Sequence, residues 1–172
     1  MAKPPADPRL AEALEILGSI VSARGTAEAR EVFDDAMQLF YRTGTDVVPW
    51  LRAARILEDT GAAAEDEVTF FIVRLSEGAA GGQSEDDPEM ARLMSGIEAI
   101  KRAHGLPEDE DWHVGEGPAE WTALNQEWER ALDRRWHALL VAAGEHKIAS
   151  AVGMELPALW DRVRRGGERL LT

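Results

Sequence analysis

The chain contains no cysteine. Disulfides, cysteine-held zinc and thiol catalysis are therefore excluded, and the composition suits a reducing compartment. It lacks any apolar run approaching the ~20 residues of a membrane-spanning helix. Its start, MAKPPADPRL, lacks the apolar segment of a signal peptide. The expectation is a cytoplasmic protein with no membrane contact. Catalytic signatures are missing too: no His-Glu-x-x-His, no phosphate loop ending in Gly-Lys-Ser/Thr, no Gly-x-Ser-x-Gly elbow. GEGPAE (115–120) has neither a preceding strand nor a third glycine, and its acid repels phosphate. EDEDWH (108–113) lacks the spaced ligands and turn glycine of a calcium loop. No cofactor is expected, and an enzyme is the less favoured class.

What is present is acid. The 172 residues carry a formal charge of −13. Residues 61–126 hold 15 acidic and 4 basic side chains, whereas residues 127–172 hold 7 and 8. Such a field repels nucleic acid and anionic membrane and attracts basic partners.

Helical periodicity dominates. Leu10, Leu14, Leu17 and Val21 mark a first helix after Pro8, and Val32, Phe33, Ala36, Met37 and Phe40 a second behind Thr26. Asp46 and Pro49 open a third, which Gly61 stops. EDEVTFFIVRLSEG has a β-branched, aromatic centre, but its acidic start, its Gly78 and the lack of any strand to pair with make it a buried helix. The glycine-rich, acidic stretch 79–87 reads as a linker between an N-terminal helical subdomain (1–78) and a C-terminal one (88–172). Asp87 and Pro88 start another helix, residues 105–118 form an acidic loop, and Pro118 begins the longest helix. The fold class expected is all-α, a bundle of about seven to eight helices.

The longest helix carries Trp121, Trp128 and Trp136 seven and eight residues apart, within one sector. They read as core, with a partner groove as the rival. Trp128 and Trp136 are expected to be buried and Trp121, nearest the acidic loop, partly open. Trp121, Trp128 and Trp160 are the candidate partner-binding residues. Glu129, Asp133 and His137 share a helix face and give a metal-binding or enzymatic alternative, against which stands the absence of a second Glu-x-x-His helix.

KIASAVGMELPALWDRVRRGGERLL (147–171) has the form of a helix-turn-helix. Ala149 is small at the helix crossing, Gly153 takes the turn, and Pro157 opens the second helix. The stretch RVRRGGERL resembles the end of region 4 of bacterial sigma factors of the extracytoplasmic-function type. EAREVFDDAMQLFYR and PWLRAARI are similar to helices of region 2, in the same order. The resemblance implies a DNA-binding transcription factor, with Arg162, Arg164, Arg165 and Arg169 on phosphates. The residues depart from it: Asp34, Asp35 and Asp46 make acidic a segment where the family sets basic and aromatic side chains against promoter DNA. Glu155, Leu156, Pro157, Ala158, Trp160 and Asp161 offer little to base edges. The function expected is a non-enzymatic regulatory or adaptor protein whose partner has a basic or apolar surface. DNA binding through the helix-turn-helix is the alternative.

Overall fold

The computed structural model describes residues 7–23, 25, 27–43, 46–82, 87–113, 115–152 and 156–171. It is all-α: eight helices, with no strand among the described residues. They are α1 (Pro8–Ser22), α2 (Ala27–Thr43), α3 (Val48–Asp59), α4 (Glu65–Gly82), α5 (Pro88–Ala103), α6 (Ala119–Ala142), α7 (His146–Ala151) and α8 (Leu156–Leu171).

Local chemistry sets most helix starts. The Asp7 carboxylate accepts the Arg9 N–H at 3.0 Å, with Pro8 behind it in the first turn. Asp46 accepts the Val48 N–H at 3.1 Å. Asp87 accepts those of Glu89 and Met90 at 2.9 and 3.3 Å. At α4 the Ala64 N–H donates to the Glu67 side chain at 3.1 Å, the backward half of a capping box. Thr26 lies outside the described residues.

Helix α4 packs against α2, α3 and α8, which explains its sequence. Val68, Phe70, Phe71, Ile72, Val73 and Leu75 are all buried, so the segment is apolar all round and shows no amphipathic period. It does not stop at Gly78, which keeps helical backbone; Ala79 and Ala80 are buried, and the helix runs to Gly82. The linker expected at 79–87 is corrected accordingly: residues 79–82 are helix, Asp87 is a cap, and 83–86 lie outside the described residues.

The chain forms two compact units, and they do not follow the expected split into 1–78 and 88–172. One comprises Met1–Gly82 together with Trp136–Thr172; the other is Gln83–Arg135. The C-terminal helices thus belong with the N-terminal ones, and α6 passes from one unit to the other along its length.

In the first unit α4 packs on α2, α3 and most extensively on α8, while α1 packs on α2 and α3. Phe33, Phe70 and Phe71 form an aromatic cluster with ring centroids 5.3–6.1 Å apart. The α4–α8 crossing depends on two glycines. A Cβ on Gly166 would overlap the Asp66 carbonyl oxygen and lie 3.0 Å from the Phe70 Cβ; one on Gly167 would lie 2.9 Å from the Phe70 ring. The Trp136 indole N–H donates to the Ser76 hydroxyl at 2.7 Å, and Ser76 in turn donates to the Ile72 carbonyl.

In the second unit Met90, Leu93 and Ala131 form a small core, with Leu124, Trp128 and Leu132 packed against it. Gly96 lets the Leu124 side chain approach α5. Arg135 pairs with Asp87, and Arg134 with Glu89 at 2.9 Å, tying α6 to the start of α5. The backbone N–H groups of Met90 and Glu89, with Arg135 beside them, hold the Asp87 carboxyl below the usual carboxylate range.

Candidate interaction surfaces

The residues singled out from sequence fall into three places. The first is α8. Leu159, Val163, Gly166 and Leu170 recur at helical spacing and are buried. On this face Gly166 lies against Asp66 and Phe70 of α4. Arg162 pairs with Glu65 at 2.5 Å and Arg169 pairs with Asp66, both acids from the first turn of α4. Arg164 bridges Asp161 and Glu168 on α8 itself, each at 3.4 Å. Arg165 is exposed and has no ion pair among the described residues. The four arginines therefore do not form a free basic stripe. α7 and α8 follow each other in the expected order and touch, but Gly153 lies outside the described residues. Trp160 is half-buried, while Ala158 and Asp161 are exposed.

The second place is the acidic loop of the second unit. Gly105, at φ +71°, ends α5 in the left-handed conformation, and the Leu106 N–H donates back to the Lys101 carbonyl at 2.9 Å. Lys101 organises the loop beyond this turn. Its side chain is 9% exposed, and its ammonium donates to the Glu108 carbonyl at 2.9 Å and to the Asp111 carboxylate at 3.0 Å. Glu108, Asp109, Glu110 and Asp111 are exposed. Behind them the Trp112 ring meets Trp121 edge-on at 5.2 Å and His104 at 5.8 Å. Gly117 is required there, since a Cβ would lie 2.6 Å from the Trp121 ring.

No family model, curated protein or solved structure matches the chain.

The third place is the tryptophan sector of α6. Trp136 is buried as expected, at 4% exposure, but the other two are reversed: Trp121 is 7% exposed and Trp128 half-buried. The acidic loop folds back over Trp121 through Trp112, instead of leaving it open. The indole N–H groups of Trp121 and Trp128 are buried without an acceptor among the described residues.

The metal alternative rests on Glu129, Asp133 and His137 of α6. Among the described residues no group of three His, Asp or Glu side chains is placed to hold an ion. Glu129 and His137 are both exposed. Their eight-residue separation corresponds to about 12 Å along a helix, too far for ligands that must each approach an ion to about 2 Å. No helix among the described residues is long and apolar enough to cross a membrane.

Sequence reading missed Lys101 as the loop's anchor, and it missed the pairing of Arg55 with Glu145, 90 residues apart. A lysine in the last turn of a helix before an acid run was a usable signal for the first. Nothing local announced the second.

Proposed function

We propose that the protein is a non-enzymatic regulatory or adaptor protein that acts through contacts with other proteins, using the acidic loop of the second unit toward a basic partner. The observation carrying this is the pinned loop: Lys101 holds the backbone beneath four consecutive acids, so Glu108, Asp109 and Glu110 present charge from a held backbone rather than from a free tail. Residues 83–135 contain 14 acidic and 6 basic side chains, which supplies the surrounding field. A held array of charge loses less conformational freedom on docking than a flexible one.

The DNA-binding alternative draws on the α7–α8 order and on exposed Arg165. It requires Arg164 and Arg169 to leave their carboxylates for phosphates, and Arg162 to reach one through the nitrogens that Glu65 does not take.

The test is cross-linking in cell extract of the wild type and of a variant carrying Glu108→Gln, Asp109→Asn and Glu110→Gln, with Asp111 kept for Lys101. A protein partner captured by the wild type should be lost from the variant. It should also be lost in about 1 M salt, where the screening length falls to about 3 Å. A partner retained in both conditions refutes use of the loop. Recovery of nucleic acid alone, with binding that falls steeply with salt, supports the alternative.

A further inference from the structure

The first unit contains a groove of about 430 Å³, set among α3, the start of α4, the α6–α7 turn and α8. This lies within the size range of small-molecule sites. Its construction is independent of the acidic loop.

One wall is an ion pair. Gly144, at φ +80°, turns the chain out of α6 and delivers Glu145, whose side chain is 8% exposed. Glu145 accepts from Arg55 in a two-pronged arrangement, Nε to Oε1 at 3.0 Å and Nη2 to Oε2 at 2.7 Å. Arg55 also pairs with Glu58. The hydrogen bond from Arg55 to Glu145 raises the Arg55 pKa against the opposing effect of burial, so the guanidinium is fixed in place and in charge. On another wall Arg162 commits a single nitrogen, Nη2, to Glu65 at 2.5 Å and to the Thr69 hydroxyl at 3.3 Å. Its Nε and Nη1 have no acceptor among the described residues, and neither does the exposed ammonium of Lys147, which also lines the groove.

The lining therefore sets three cations, Arg55, Lys147 and Arg162, against three carboxylates, Glu58, Glu65 and Glu145. In a chain of net charge −13 this is a locally neutral, strongly dipolar surface. A simple anion meets Glu58 and Glu65 there, and a simple cation meets Arg162 and Lys147. A ligand bearing both signs satisfies both sets. Arg55 engages both oxygens of Glu145, whereas Glu58 and Glu65 each accept from an arginine through one oxygen and keep the other for a ligand.

We infer that the groove binds a small zwitterion of the free α-amino-acid or dipeptide class, its carboxylate on Lys147 and the uncommitted nitrogens of Arg162, its ammonium on Glu58 and Glu65. The test uses the full chain and saturation-transfer NMR with the free L-amino acids and glycylglycine, each at about 10 mM, where a millimolar binder is saturated. At least one should receive transfer, and its N-acetyl and carboxamide derivatives should each bind at least about tenfold more weakly, as expected for loss of a charged hydrogen bond. Lys147→Gln should weaken binding by a similar factor without moving the melting temperature, because the Lys147 ammonium has no partner to lose among the described residues. The absence of transfer from every probe overturns the inference. So does equal binding of either blocked derivative, or an unaltered affinity in Lys147→Gln.

Discussion

Gly166→Ala is the most direct test of the architecture. An alanine in the interior of a helix is ordinarily favoured over glycine by about 1 kcal/mol. At position 166 the added methyl has no room. It would overlap the Asp66 carbonyl oxygen, lie 2.7 Å from that carbonyl carbon and lie 3.0 Å from the Phe70 Cβ. These atoms are backbone or fixed to it, so no rotamer change relieves the clash and α8 must move away from α4. Overpacking of this kind costs about 1–3 kcal/mol, and the obstacle here is rigid, which places the cost at the upper end. Net of helix propensity, Gly166→Ala should destabilise by about 1–2 kcal/mol, or roughly 2–8 °C in Tm for a chain of this size. Two neighbouring substitutions calibrate it. Gly167→Ala faces the edge of the Phe70 ring, which can tilt, so gain and loss should nearly cancel. Gly18→Ala in α1 meets nothing within 4 Å and should stabilise by up to about 1 kcal/mol. Urea denaturation followed by circular dichroism measures all three. If Gly166→Ala is as stable as Gly18→Ala, α8 does not cross α4 at this point, and the pairing of its arginines with α4 falls with it.

Three further outcomes are expected. Ser76→Ala removes the acceptor for the Trp136 indole, and leaving that buried donor unpaired should cost about 1–3 kcal/mol in chemical denaturation; no loss would mean that the indole has another acceptor. Burial raises the Glu77 pKa, with Arg74 opposing, so the native state takes up a proton before the unfolded one does. The penalty for its charge is then fully present above the folded pKa and is lifted as pH falls toward the unfolded value; Glu77→Gln should raise Tm at pH 7, with a gain that shrinks through the carboxylate range, and a pH-independent gain would contradict the assignment. Lys101→Met should speed amide hydrogen exchange across residues 106–112 while leaving the α1–α4 amides unchanged; unaltered exchange in the loop would remove Lys101 as its anchor.

Features set by a few neighbouring residues were legible in the sequence. Pro8 and Asp87–Pro88 mark helix starts because a proline or a carboxylate acts over one turn, and the all-α class followed from the spacing of Leu17, Phe33, Trp50 and their neighbours. Gly78 misled because a glycine ends a helix only where the backbone turns left-handed, as Gly105 and Gly144 do. Partnerships across the chain were not legible. Arg162 and Arg169 read as a basic patch because their acids, Glu65 and Asp66, lie about a hundred residues earlier. The exchange of roles between Trp121 and Trp128 has a similar origin: spacing placed both on one sector, but which is covered depends on where Trp112 folds.

The order in which the two units are completed during synthesis differs from the order in which their first residues appear. Residues 83–135 are contiguous, so this unit can close as soon as it leaves the ribosome. The other begins first but waits for α8, whose last described residue is 171. At roughly 5–20 residues per second, the α4 surface that α8 covers stays without it for about 4–18 s after Gly82 is made. For that interval Phe70 and its neighbours are available to chaperones, or to another nascent copy, on a face that the finished molecule never shows.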